Sequence, residues 1–155
     1  MVGSVVLGIV FVTLGTTWYH VRGTARRQAI ERGYGFLAKA LSGERDAFAK
    51  ARGAFLDAQR ASLWGSGPVI LLSIVERLAS ISPAGTLVVD ERTPPEVVER
   101  RLLRALRRRA WKPARSIVLR LRPPAKQRFY SSLIRELERR SGTPATSDGE
   151  RRGPK

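Results

Sequence analysis

The chain has 155 residues, room for one ordinary domain or two very small ones beside any anchor. It has no cysteine and a single histidine, His20, which excludes disulfides, thiolate catalysis, cysteine-based zinc sites and a histidine cluster for metal. Its net charge of +16 is uneven, with nearly all of the basic excess after Arg100, and such asymmetry points to a polyanion: anionic lipid headgroups, nucleic acid or an acidic protein. The plain alternative is a solvated arginine-rich face.

Met1 to Val21 carries no charged side chain, and the first charge is Arg22. A helix needs roughly 20 mostly apolar residues to cross a bilayer. Trp18 and Tyr19 suit the headgroup level, and Arg22, Arg26 and Arg27 follow. Residues 1–22 are therefore expected to form a transmembrane anchor. A cleaved signal peptide fits less well, because no Lys or Arg precedes the run and the bulky Trp18, Tyr19 and His20 end it. All Lys and Arg lie beyond it, so the charge rule predicts a single-pass membrane protein, N-terminus outside and C-terminal region cytoplasmic.

Thr24 to Leu41 carries Ala29, Ile30, Tyr34, Leu37, Ala40 and Leu41 at threes and fours, the stripe of an amphipathic helix. Ser42-Gly43 breaks it. A second helix is expected from Glu44 to Leu63, burying Ala47, Phe48, Ala51, Ala54, Phe55 and Ala58. A third, from Pro68 to Ala79, is apolar along Val69, Ile70, Leu71, Leu72, Ile74, Val75 and Leu78, yet too short to span a bilayer.

Ala51, Phe55 and Ala58 stand at the spacing of the second-helix signature of tetratricopeptide repeats, and Leu72 falls where the next first helix places its leucine. Residues 30–80 thus resemble a tetratricopeptide-type helical hairpin, which implies a surface that binds protein segments. The Leu-Gly-Tyr pattern of the preceding helix is missing, and no second copy of the period follows.

Ile81 to Gly85 has linker composition, and Thr86 to Val89 is expected to be a short strand ending at Asp90. Thr93-Pro94-Pro95-Glu96 has the form of a capping box opening a helix that runs to Ala110, before Pro113. Its apolar stripe is Val97, Val98, Leu102, Ala105 and Leu106. Arg100, Arg101, Arg104, Arg107, Arg108 and Arg109 cover the remainder and are the candidate polyanion-binding residues.

Ser116 to Arg122 alternates through Ile117, Leu119 and Leu121, predicting a second strand. A last helix, Ala125 to Arg140, should bury Phe129, Tyr130, Leu133, Ile134 and Leu137 and stop at Gly142. The remainder, small and polar, is expected to be disordered. The expected fold is mainly α: an anchor (1–22), an alanine-rich helical hairpin region (23–82), a basic β-α-β-α region (83–141) and a tail (142–155). Two strands are too few for an independent sheet, so either the helical middle covers them or a partner supplies more. One anchor followed by β-α-β is similar to the ExbD and TolR proteins of energised transport. That resemblance implies an accessory subunit of a membrane transport complex with its domain outside the cytoplasm. The membrane aspartate of that family is missing here.

No Ser-His-Asp or Cys-His set, phosphate-cradling loop or metal-spaced cluster occurs, so no catalytic, cofactor or metal residue is assigned. Asp90 and Glu91 are a carboxylate pair of the sort that usually only builds a turn. Neither a KH GXXG loop nor RRM stacking aromatics occur, so nucleic-acid contact would be to phosphates and strongly salt-dependent. The expected function is a non-enzymatic membrane adaptor or scaffold whose Arg-rich region binds membrane lipids or an acidic protein partner. Nucleic-acid binding at the membrane is the alternative.

Overall fold

The computed structural model describes residues 2–62 and 66–142, without the side chains of residues 2–21. The described residues form α1 (Val2–Leu41), α2 (Ala47–Arg60), α3 (Gly67–Ser80), α4 (Pro95–Arg107), α5 (Trp111–Val118) and α6 (Pro124–Arg140). The chain divides into two compact units, residues 1–40 with 44–80 and residues 41–43 with 81–155.

In the first unit, Ala29, Gly33, Leu37 and Ala40 recur at helical spacing and are buried along one face of α1. The helix ends where Gly43 takes a φ of 105°, a conformation that glycine adopts without a Cβ clash. Small residues at 47, 51, 54 and 58 bury one side of α2, which packs on Leu71, Ile74, Val75 and Leu78 of α3. The fully buried Phe55 lays its ring against Gly33, where a Cβ would come within 2.7 Å of the ring carbon Cδ1. Tyr34 meets the same ring edge-on, with centroids 5.7 Å apart. Burying a phenylalanine of this kind contributes about 1.5–3 kcal/mol.

No helix among the described residues is long and apolar enough to cross a membrane. That finding overturns the expected transmembrane anchor over residues 1–22, its single-pass topology, and the location with an outside N-terminus and a cytoplasmic C-terminal region. In place of a separate anchor and amphipathic helix there is one helix, α1, continuous through Arg22, Arg26, Arg27, Glu31 and Arg32 to Leu41. Its described side chains form a one-sided stripe between charged residues, not an apolar cylinder. The side chains of residues 2–21, on which the anchor rested, lie outside those described.

In the second unit α4 packs on α5 and α5 on α6, around Leu102, Leu103, Leu106, Val118, Leu133, Ile134 and Leu137. No strand occurs among the described residues, so the expected β-α-β-α arrangement and its parallel crossover are corrected. Ser116–Arg122 is not a strand: its start closes α5, and Ala114, Ile117, Val118 and Leu121 are buried at helical spacing while Leu119 is 73% exposed. Thr86–Val89 is neither helix nor strand and has no ladder partner among the described residues. The capping box is also absent, because the Thr93 hydroxyl turns back to the Asp90 carboxylate at 2.6 Å.

α4 ends at Arg107, three residues before the expected Ala110. The Arg109 N–H donates to Leu106 O and the Ala110 N–H to Ala105 O, both at 2.9 Å, with Arg109 at φ 56°. This is a Schellman stop with arginine where glycine usually stands, which is why sequence punctuation did not mark it. The expected disordered tail, from residue 143, lies outside the described residues.

Candidate docking surface

Residues 81–93 run without helix or strand, and their carbonyl groups need donors. α4 supplies them. Arg101 donates to Val88 O and also reaches Thr93 Oγ1 at 3.4 Å. Arg108 donates to Pro83 O and, at 2.5 Å, to Gly85 O. Between them the Arg104 guanidinium lies over Gly85, where a Cβ would sit 3.0 Å from Nη1. Gly85 has a φ of 112°, so both its backbone and the close approach require glycine. Positions 101, 104 and 108 share one helix face, and that face straps the segment to α4.

The six sequence-predicted arginines therefore do not form one open basic face. Arg101, Arg104 and Arg108 face the segment. Arg109 donates from Nη2 to Ser141 O at 3.0 Å, tying the end of α4 to the end of α6. Arg107 is half-buried, and Arg100 alone of the six is exposed without a side-chain partner among the described residues.

Other cations are paired internally. Glu99, 8% exposed, accepts from Lys126 Nζ at 2.8 Å and from the Tyr130 hydroxyl at 2.7 Å. Glu138 pairs with Arg115 at 2.9 Å, and Glu136 with Arg139 and Arg140. The Arg139 hydrogen bonds, then those of Arg140, hold the Glu136 carboxyl below its ordinary pKa of 4.5. Asp90 is likewise held below its ordinary 3.8, first by the Thr93 hydroxyl, then by the Arg92 N–H and the Arg101 charge.

What remains open in the second unit is a different basic set. Arg92, Lys112, Arg122, Arg128 and Arg135, with Arg100, are exposed and have no side-chain partner among the described residues. Sequence analysis did not single out the first five. They differ from the strapping arginines in lying on loops or outward faces, away from any backbone lacking donors. Helical spacing places Arg128 and Arg135 on one exposed face of α6, a signal the sequence carried.

Beside this surface is a groove of about 410 Å³ between residues 86–90 and α5. Leu87 and Val89 form one wall, and Pro113, Ser116, Ile117, Leu119 and Arg120 line the rest. Arg120 is held loosely, 3.9 Å from a Glu91 side chain that is 90% exposed. Among the described residues no three His, Cys, Asp or Glu side chains gather at metal-holding distance. No family model, curated protein or solved structure matches the chain.

Proposed function

We propose that the chain is an adaptor whose second unit captures an acidic protein partner. The observation that carries this reading is the exposed, unpartnered set Arg92, Arg100, Lys112, Arg122, Arg128 and Arg135. Three internal carboxylates, Glu99, Glu138 and Glu136, pair with Lys126, Arg115, Arg139 and Arg140, so among the described residues of the second unit these six are the exposed cations whose side chains have no partner. The aromatic side chains described in the second unit, Trp111, Phe129 and Tyr130, are half-buried or buried, a poor stacking platform for single-stranded nucleic acid. A groove of mixed lining, with Leu87, Val89, Pro113, Ile117 and Leu119 beside Ser116 and Arg120, suits a polypeptide better than a phosphate backbone.

The test compares full-length chain binding to polyglutamate, to duplex and single-stranded DNA, and to phosphatidylserine vesicles, across a salt series. Polyglutamate binding that weakens with salt, and falls about tenfold in an Arg122→Gln/Arg128→Gln/Arg135→Gln variant, is the expected result. Tighter binding of either DNA or the vesicles at matched charge overturns it.

A further inference from the structure

The groove wall at residues 86–90 has the features of an unpaired sheet edge. Leu87 and Val89 are half-buried towards the groove, while Thr86, Val88 and Asp90 are exposed, an alternation with the period of an extended strand. In such a backbone the N–H and C=O of successive residues point to opposite edges. One edge is occupied: the Val88 N–H donates to Thr86 Oγ1 at 3.2 Å, and Val88 O accepts from Arg101. On the other, neither Leu87 nor Val89 makes a hydrogen bond within the described residues. Two N–H and two C=O groups are thus left without a partner among the described residues, open to a β ladder.

We infer that Leu87–Val89 and the adjoining groove bind an acidic peptide by strand addition. The inference rests on the acidic-partner reading above and specifies its mode. The added strand pairs its backbone with Leu87 and Val89, and puts alternate apolar side chains between Leu87, Val89, Ile117 and Leu119. Its acidic side chains then meet Arg120, Lys112 and Arg122.

Charge decides the occupant. A second copy of this chain brings its own net charge of +16 to an already basic rim, whereas an acidic peptide neutralises that rim. Leu119 and Val88, each 73% exposed, lie at the groove and on the opposite face of the segment respectively, and supply variants that leave the core intact.

The experiment uses the full chain and two short peptides of equal composition. In one, valine alternates with glutamate; in the other, the valines and glutamates are grouped in blocks. The alternating peptide is expected to bind about tenfold more tightly, the return for a few ladder hydrogen bonds and an apolar fit. N-methylation of its amides on one edge should abolish that advantage, and on the other edge should leave it. Leu119→Asp should remove the advantage, while Val88→Thr should not.

Equal binding of the two peptides, with polyglutamate still bound, overturns strand addition and leaves the acidic-partner reading standing. Loss of all three ligands overturns both. Concentration-dependent dimerisation in sedimentation that Leu119→Asp abolishes assigns the edge to a second copy, and likewise overturns the proposal.

Discussion

The Tyr130 hydroxyl donates to the buried Glu99 carboxylate at 2.7 Å, linking α6 to α4 through the only charged residue that is buried among the described residues. Lys126 reaches the other carboxylate oxygen at 2.8 Å but is itself 48% exposed. Water therefore screens the lysine contribution, while the tyrosine bond lies in low dielectric. Tyr130→Phe is expected to cost about 2 kcal/mol, the range for a hydrogen bond to a charged group. Lys126→Met should cost about 1 kcal/mol or less. Urea unfolding of both variants checks the order, and a larger loss for the lysine variant would count against this assignment.

Gly33 makes the opposite case to ordinary helix propensity. Alanine inside an exposed helix is normally better than glycine by about 1 kcal/mol. At Gly33 the added methyl would strike the Phe55 ring, which is fully buried and cannot swing away. Gly33→Ala should therefore destabilise the first unit by about 1–3 kcal/mol, the cost of overpacking a core. Gly53→Ala, with open space around the new Cβ, should stabilise by about 0.5–1 kcal/mol. Hydrogen exchange of α2 amides in the two variants reads both signs.

Where one period alone fits a run of residues, the sequence is legible. Ala47, Ala51, Ala54, Phe55 and Ala58 admit a helix and no strand, and α2 forms with those residues buried, while Phe48 of the expected stripe is only half-buried. Ser116–Arg122 admits both: Ile117, Leu119 and Leu121 alternate, while Ile117, Val118 and Leu121 make a helical face. Packing against α4 and α6 selects the second. The arginines mislead for another reason. On a helix wheel all but Arg109 form one polar face, and only the path of residues 81–93 reveals which of them meet bare carbonyl groups. Spacing of i, i+3 and i+7 at Arg101, Arg104 and Arg108 next to a segment with no ladder partner was the available signal. The anchor rested on apolar length, on Trp18 and Tyr19 and on the arginines that follow, and all but those arginines are residues whose side chains are not described.

Arg109 holds the left-handed position of the Schellman stop, with φ at 56°. An L side chain there costs about 1–2 kcal/mol relative to glycine. Its Nη2 bond to Ser141 O offsets part of that. Arg109→Gly and Arg109→Ala lose the guanidinium equally, but only the first relieves the backbone. Arg109→Gly should thus be more stable than Arg109→Ala by about 1 kcal/mol, reversing the usual helix order. Thermal denaturation of the pair measures the difference; alanine equal to or better than glycine would show that the stop is not left-handed in solution.

Asp90 links pH to the strap. Its carboxylate accepts from the Thr93 hydroxyl at 2.6 Å and the Arg92 N–H at 3.1 Å, and these bonds favour the ionised form. The folded pKa is lowered from the ordinary 3.8. A lowered carboxylate contributes stability that is fully present above the unfolded value and lost as pH falls through the folded one. Acid should therefore loosen residues 86–93 only below pH 3.8, and near-neutral pH should leave them unchanged. Thr93→Val removes the largest cause, so Asp90 should titrate closer to 3.8 and the acid-side loss should shrink. Carbon-detected NMR titration of the Asp90 carboxyl in both proteins makes the comparison. A wild-type Asp90 titrating above its ordinary value, or a Thr93→Val shift downward, contradicts the turn described here, because either result requires a carboxylate without its hydroxyl donor.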